Sequence, residues 1–225
     1  MDIKAFLRSI PLSKGLSEDH LKKLAESARD RVYRSGQIII SEKDEIQGFF
    51  VLMRGKVKMF KRSIDGKEQI LYLLRQGEMF GMCAAFSDSV FPANAMALEE
   101  TVMLFLPGET IDSLAQDDPR ILYNIIFDLS CMLKDSMALV ESLSLKEIPQ
   151  RLATFLLISC SRNESNSRDV LNLPVSQREL AKMIGTSPET LSRTLKMMSV
   201  QGIISVEGRT ITTLDKDALD DLARN

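Results

Sequence analysis

Ser176-Gln-Arg-Glu-Leu-Ala-Lys-Met-Ile-Gly-Thr-Ser-Pro-Glu-Thr-Leu-Ser-Arg-Thr-Leu-Lys-Met-Met198 reads as two short helices joined by a tight turn. Ser176 and Glu179 form a capping box, in which the hydroxyl satisfies one orphan N–H and the carboxylate reaches back to another. Leu180, Met183 and Ile184 recur at helical spacing and give the first helix one apolar face. Gly185 ends it, because glycine alone enters the left-handed conformation at little steric cost. Ser187 caps the second helix, and Pro188 takes its first position, where a missing N–H costs nothing. Leu191 and Leu195 face inward. Glu189, Thr190, Ser192, Arg193 and Lys196 fall on other faces and are suited to base edges and phosphates.

The flanks extend this motif. Gly202-Ile-Ile-Ser-Val-Glu-Gly-Arg-Thr-Ile-Thr-Thr-Leu214 predicts two strands around a Glu207-Gly208 turn, and Val170-Leu-Asn-Leu-Pro174 a short third strand. A helix-turn-helix followed by such a hairpin is a winged helix, with Arg209 at the wing tip facing a phosphate. Arg151 to Cys160 predicts a further apolar helix ahead of it, and residues 161–169 a polar loop.

Composition sets limits on this reading. The chain has 225 residues, 44% hydrophobic and 27% charged, with a formal net charge of −2. That balance does not announce a nucleic-acid binder, but local basic groups suffice. Arg178, Lys182, Arg193, Lys196 and Arg209 supply them, while Asp215, Asp217, Asp220 and Asp221 mask them in the total. Cys83, Cys131 and Cys160 are too scattered for a disulfide framework or a zinc site, and His20 is the single histidine. With no Gly-rich phosphate loop either, an enzyme is not expected. No apolar run reaches the length of a membrane span and no signal-peptide core is visible, so a cytoplasmic protein without a membrane partner is expected.

Upstream, Leu16 to Ala28 predicts a helix capped by Ser17. Between Val32 and Leu106 the pattern becomes strand-like at Gln37–Ile40, Gly48–Met53, Lys56–Phe60, Glu68–Leu74 and Thr101–Leu106. Arg54-Gly55 and Asp65-Gly66 read as hairpin turns. Regular strands with close turns argue an antiparallel sandwich or roll. Pro119 then opens a long helix to about Ser144. Leu122, Ile125, Leu129, Met132, Ser136, Leu139 and Leu143 follow a heptad rhythm, which predicts a parallel dimer seam, with a core helix buried within one chain as the alternative. Ile126, Leu133 and Val140 widen the stripe enough to cover the roll as well. A hinge is expected at Glu147-Ile-Pro149. The expected divisions are 1–115 for the sensor, 116–146 for the dimer helix and hinge, and 147–225 for the DNA-binding domain.

The order of roll, long helix and winged helix resembles the family of the cyclic-AMP receptor protein and the fumarate–nitrate reduction regulator (CRP/FNR). The resemblance spans nearly the whole chain. In the sensor it rests on Phe50-Val-Leu-Met-Arg-Gly-Lys-Val-Lys-Met-Phe60, on Asp65-Gly66, and on Gly77-Glu-Met-Phe-Gly81 followed by Phe86. In the other half it rests on Leu180 to Leu195 and the wing. It implies an α+β fold: an antiparallel β-roll of the cyclic-nucleotide-binding type, a dimerisation helix and a winged helix-turn-helix. It also implies a homodimeric transcription regulator, an activator working with RNA polymerase, that senses a small signal through the roll.

Departures from the family pattern narrow that signal. Members that bind cyclic AMP carry a glutamate just after the glycine matching Gly81 and an arginine–serine pair about ten residues later. Met82 and Pro92-Ala93 stand there instead. A buried phosphate without its arginine would be an unpaired charge costing several kcal/mol. Cyclic nucleotides are therefore disfavoured, and a cyclic-nucleotide-responsive regulator or regulatory module of the same fold is the alternative. Gly81, Met82, Cys83, Pro92, Ala93 and Asn94 are the effector-pocket candidates. No cysteine cluster near the N-terminus supports an iron–sulfur centre. What remains resembles the branch responding to nitric oxide or redox signals, where haem is the suggested cofactor. The resemblance rests on Leu143-Ser-Leu145, Pro188-Glu-Thr190, Ser192-Arg193, Gly202-Ile-Ile204 and Gly208-Arg209. His20, Cys83 or a methionine is the candidate iron ligand. Another small molecule or a thiol reaction at Cys83 also stays open.

For DNA, arginine can donate two bonds to guanine and glutamate can accept from cytosine. The resemblance puts Glu189 and Arg193 on the family's G·C pair and Ser192 on the position that the fumarate–nitrate branch uses for thymine. Pro188 stands where the cyclic-AMP receptor has a second base-reading arginine. A palindromic double-stranded site with TTGA-like half-sites is expected. Ser176, Arg178, Ser187, Thr190, Lys196 and Arg209 are the expected phosphate contacts.

Overall fold

The computed structural model describes residues 2–86, 90–161 and 170–224; the predicted polar loop lies outside them beyond its first residue. The chain divides into two compact units, one of residues 1–67 and 71–135, the other of residues 68–70 and 136–225.

The first unit opens with α1 (Ile3–Ser9), a 3-10 turn (Pro11–Ser13) and α2 (Glu18–Ser27). The side chain of Ser17 caps α2 as predicted, accepting from His20 N. The strands are β1 (Arg29–Tyr33), β2 (Ile38–Ile40), β3 (Gly48–Arg54), β4 (Val57–Arg62), β5 (Glu68–Leu74) and β6 (Met79–Phe80). After a short α3 (Met82–Phe86) come β7 (Asn94–Ala97) and β8 (Thr101–Pro107). They form two four-stranded sheets, ordered β1-β8-β3-β6 and β2-β7-β4-β5. This is the predicted roll, with one correction. Arg54-Gly55 does not close a hairpin, since β3 and β4 belong to different sheets. Gly55, at φ +101°, turns a corner there, and a Cβ on it would lie 2.5 Å from Thr101 Oγ1. Asp65-Gly66 does sit in the β4–β5 turn, closed by Ser63 N donating to Lys67 O at 2.9 Å.

β3 explains why the sequence shows a continuous apolar run rather than an alternation. All residues from Gly48 to Met53 are buried, because both faces of the strand are covered. Phe49, Val51 and Met53 enter a core shared with Leu7, Leu24, Ile111 and Ile121. Phe50 and Leu52 enter a second core between the sheets with Phe80, Phe91, Ala93 and Met103. Burying side chains of this size contributes about 1.5–3 kcal/mol each, so β3 is the strand on which both cores depend.

α4 (Gly108–Asp117) and α5 (Arg120–Leu145) follow β8. The long helix runs as predicted, and part of its predicted seam is engaged within the chain itself. Ile125 is buried in the chain's own helix-side core, and Leu122, Leu129 and Met132 pack against it. The residues read as widening the seam are exposed, Ile126 at 56%, Leu133 at 63% and Val140 at 63%, and so is Met137 at 66%.

The second unit continues with α6 (Ile148–Ser161), β9 (Val170–Asn172), α7 (Gln177–Met183), α8 (Pro188–Val200), β10 (Ile204–Glu207), β11 (Thr210–Thr213) and α9 (Lys216–Arg224). Its sheet is ordered β10-β11-β9, which is the predicted wing with its third strand. Glu207 pairs with Thr210, so the wing turn is Gly208-Arg209, one residue later than predicted. The break between α5 and α6 is confined to Lys146 and Glu147, and Pro149 lies inside the first turn of α6.

Candidate nucleic-acid interface and sensor

The two-helix motif forms as its local signals require. Ser176 Oγ accepts from Glu179 N, and Ser187 Oγ from Thr190 N, both at 3.2 Å. Pro188 occupies the first turn of α8. Leu191, Thr194, Leu195 and Met198 are buried on one side of α8, while Glu189, Ser192, Arg193 and Lys196 are exposed on the other. A helix with one face locked in the core and an opposite face of donors, acceptors and positive charge can enter a groove without giving up packing.

Electrostatics hold that face ready. The Glu189 carboxyl lies below its ordinary value, with the polar Ser187 hydroxyl beside it the chief cause, followed by its own backbone N–H and the charge of Arg193. The carboxylate is thus ionised, the form that accepts from cytosine. Of the predicted phosphate contacts, Ser176, Arg178, Ser187, Lys196 and Arg209 are exposed, and Thr190 is half-buried. Arg209 Nη2 also donates to Leu173 O at 3.0 Å, which ties the wing tip to the end of β9.

Residues that sequence reasoning missed hold the motif in place. Arg151 donates to Leu143 O at 2.8 Å, Lys146 O at 2.8 Å and Ile184 O at 3.2 Å. Lys146 Nζ reaches Thr154 Oγ1 and Ala223 O, each at 3.0 Å. The bonds to Ile184 O and Ala223 O join elements distant in sequence, so no local pattern announces them.

The effector candidates differ in their surroundings. Met82 is buried in the helix-side core and Ala93 in the core between the sheets. Pro92 and Cys83 are exposed. The Asn94 side chain is occupied, accepting from Glu42 N at 3.1 Å and donating to Phe60 O at 3.4 Å. The core between the sheets is filled by rings, with Phe50 and Phe80 stacked at 5.2 Å and Phe80 and Phe91 tilted at 5.5 Å.

The residues present do not fit haem. His20 Nδ1 lies 3.5 Å from Asp118 Oδ2 and has no hydrogen-bond partner. A cleft of about 600 Å³ is lined by Arg8, Ile10, Lys14, Tyr123, Asn124 and Phe127, none of them among the expected ligands His20, Cys83 or a methionine. Met79, Cys131 and Met132 line a cleft of only about 100 Å³, too small for a macrocycle. Among the described residues, no group of three or more His, Cys, Asp or Glu side chains is placed to hold a metal ion.

Known proteins share these features. Residues 30–118 match the cyclic nucleotide-binding domain family, and residues 150–222 match the Crp-like helix-turn-helix domain. The cyclic AMP receptor protein of Thermus thermophilus is 27% identical over 96% of this chain and 98% of its own. The fumarate and nitrate reduction regulatory protein of Vibrio cholerae is 29% identical over 95% of this chain and 86% of its own. In fold, a CooA mutant from Carboxydothermus hydrogenoformans superposes with a TM-score of 0.81 at 22% identity, covering 99% of this chain and 96% of that one. No described helix is long and apolar enough to cross a membrane. A cyclic-nucleotide-binding-like sensor joined to a DNA-binding helix-turn-helix is the plan of a regulator and not of an enzyme, and the chain belongs to the CRP/FNR family of transcription regulators.

Proposed function

We propose that the protein is a homodimer that reads a palindromic DNA site with TTGA-like half-sites. The observation that carries this reading is the exposed face of α8, where Glu189, Ser192 and Arg193 stand opposite the buried stripe. Arg193 donates to guanine, Glu189 accepts from the paired cytosine, and Ser192 meets the neighbouring thymine pair. Ser176, Arg178, Lys196 and Arg209 hold phosphates and set the register. Two such helices about 34 Å apart would enter successive major grooves on one face of the duplex.

Dimerisation rests on the exposed stripe of α5. Ile126, Ser130, Leu133, Met137 and Val140 are spaced alternately four and three apart, as a two-stranded coiled coil requires. An exposed apolar stripe of this length marks an interaction surface. Like its relatives named as activators, the protein would work with RNA polymerase on DNA in the cytoplasm.

The roll would answer to a signal other than a cyclic nucleotide. Neither Met82 nor Pro92-Ala93 offers the carboxylate or guanidinium that a ribose and a cyclic phosphate need, and Ala93 is already packed inside. Nitric oxide or another redox signal is the reading that the resemblance favours. The test is fluorescence anisotropy of the pure protein on a TTGA palindrome and on a scrambled duplex, without added nucleotide. Selective binding of one dimer per palindrome supports the reading. Equal affinity for both duplexes, or selectivity only with cyclic AMP present, rejects it.

A further inference from the structure

Thr190 lies at the centre of a hydrogen-bonded chain on the first turns of α8. Its N–H donates to Ser187 Oγ at 3.2 Å, and that hydroxyl donates to Thr190 Oγ1, also at 3.2 Å. Arg193 Nη2 donates to the same Oγ1 at 3.2 Å. The spacing of 187, 190 and 193 keeps the three side chains on one side of the helix. Both lone pairs of the threonine oxygen are engaged, and the residue is half-buried while its neighbours on the reading face are exposed. A hydroxyl so placed accepts from the guanidinium and keeps only its own O–H proton for another partner. It is well placed to hold a guanidinium.

We infer that Thr190 is a positioning residue for base reading: it fixes the direction of Arg193 before DNA arrives. The inference rests on the proposed role of Arg193. A long arginine side chain loses rotamer freedom when it docks, and a side chain already held loses less. Guanidinium has five N–H donors. One is spent on Thr190, and those left suffice for the two-bond fork on guanine O6 and N7. Ser187 acts one step further back. Its hydroxyl accepts the Thr190 N–H as the helix cap and supports the threonine oxygen through the same atom, so helix start and reading geometry are set together.

The experiment measures binding of the full chain to a TTGA palindrome and to a duplex whose G·C pair facing Arg193 is replaced by A·T. Thr190→Val keeps the shape and removes the hydroxyl. We expect it to lower the preferred-to-substituted affinity ratio about three- to tenfold, the worth of one hydrogen bond, with the substituted duplex unaffected. Thr190→Ser should restore the ratio. In an Arg193→Ala background, Thr190→Val should change neither duplex. If Thr190→Val weakens both duplexes alike, with or without Arg193, the residue is a phosphate contact and the inference falls. If Arg193→Ala destroys the ratio while Thr190→Val leaves it intact, positioning fails and base reading stands. If Arg193→Ala itself leaves the ratio intact, base reading fails. Thr190→Ala, scored the same way, replaces Thr190→Val should the valine variant melt early.

Discussion

Arg151 donates through Nη1 to the carbonyl of Ile184, 3.2 Å away, and so binds the start of α6 to the turn between α7 and α8. Its other nitrogens hold Leu143 O and Lys146 O at the end of α5, each at 2.8 Å. Helix ends leave such carbonyls without partners, and one planar cation serves three of them. A shift in the last turn of α5 therefore reaches the two-helix motif through this side chain. Arg151→Ala should lower the unfolding free energy of the second unit by about 2–4 kcal/mol, measured by urea denaturation. Arg151→Lys should recover only a minor part, since an ammonium lacks the fork. Wild-type stability in the alanine variant would remove the clamp from the account.

Gly185 and Gly208 make a matched pair. Both have positive φ, +71° and +60°. A Cβ on Gly185 would lie 2.7 Å from Leu143 Cδ2 and 3.2 Å from Arg151 Nη1, whereas one on Gly208 meets nothing within 4 Å. Gly208→Ala should cost about 1 kcal/mol, the strain alone. Gly185→Ala should cost more, about 2–3 kcal/mol, because packing is added to strain. Thermal melts of the two variants compare them directly, and equal losses would mean that Leu143 moves aside freely.

The two stripes of α5 make opposite predictions. Leu133→Glu places like charges across the proposed seam and should yield monomers with an intact sensor fold. Leu129 packs in the chain's own core, so Leu129→Ala should leave the dimer whole and cost about 2 kcal/mol of stability. Sedimentation equilibrium with circular dichroism separates the outcomes. Monomers from Leu129→Ala and dimers from Leu133→Glu would restore the register predicted from sequence.

Asp118 links stability to acid. Its carboxyl is lowered from 3.8 to about 2, first by the side-chain hydrogen bonds from Arg120, whose Nη2 lies 2.6 Å from Oδ2. A carboxyl depressed in the folded state contributes stability that is complete above its unfolded value and is lost as pH falls through the folded one. Asp118→Asn should thus be less stable than wild type at pH 5–7, and the gap should narrow between about pH 4 and pH 2. A gap independent of pH would show that the charge is not what matters.

Much of this architecture is legible in the sequence where local chemistry decides it. Ser176, Gly185, Ser187 and Pro188 mark the motif because caps and breakers act within a few residues. β3 is visible as an apolar run because both of its faces are buried. β1 escapes notice because Arg29, Asp30, Arg31 and Val32 are exposed, so its outer residues carry no apolar alternation. α1 and α9 are short amphipathic helices of 7 and 9 residues whose periodicity spans too few turns to stand out. The seam of α5 is not fixed by sequence for a different reason. Two overlapping heptad stripes share one helix, and periodicity alone does not say which meets the chain's own core. The clamp by Arg151 depends on carbonyls of Leu143 and Ile184, which only tertiary structure brings together.

The central claim is that Arg193 distinguishes bases. The most direct measurement compares wild type and Arg193→Ala, by fluorescence anisotropy at fixed salt, on a TTGA palindrome and on its G·C-to-A·T counterpart. The account predicts a loss of about 1–3 kcal/mol on the TTGA duplex with little change on the other, so that the preference collapses. Retention of the full preference by Arg193→Ala would contradict it.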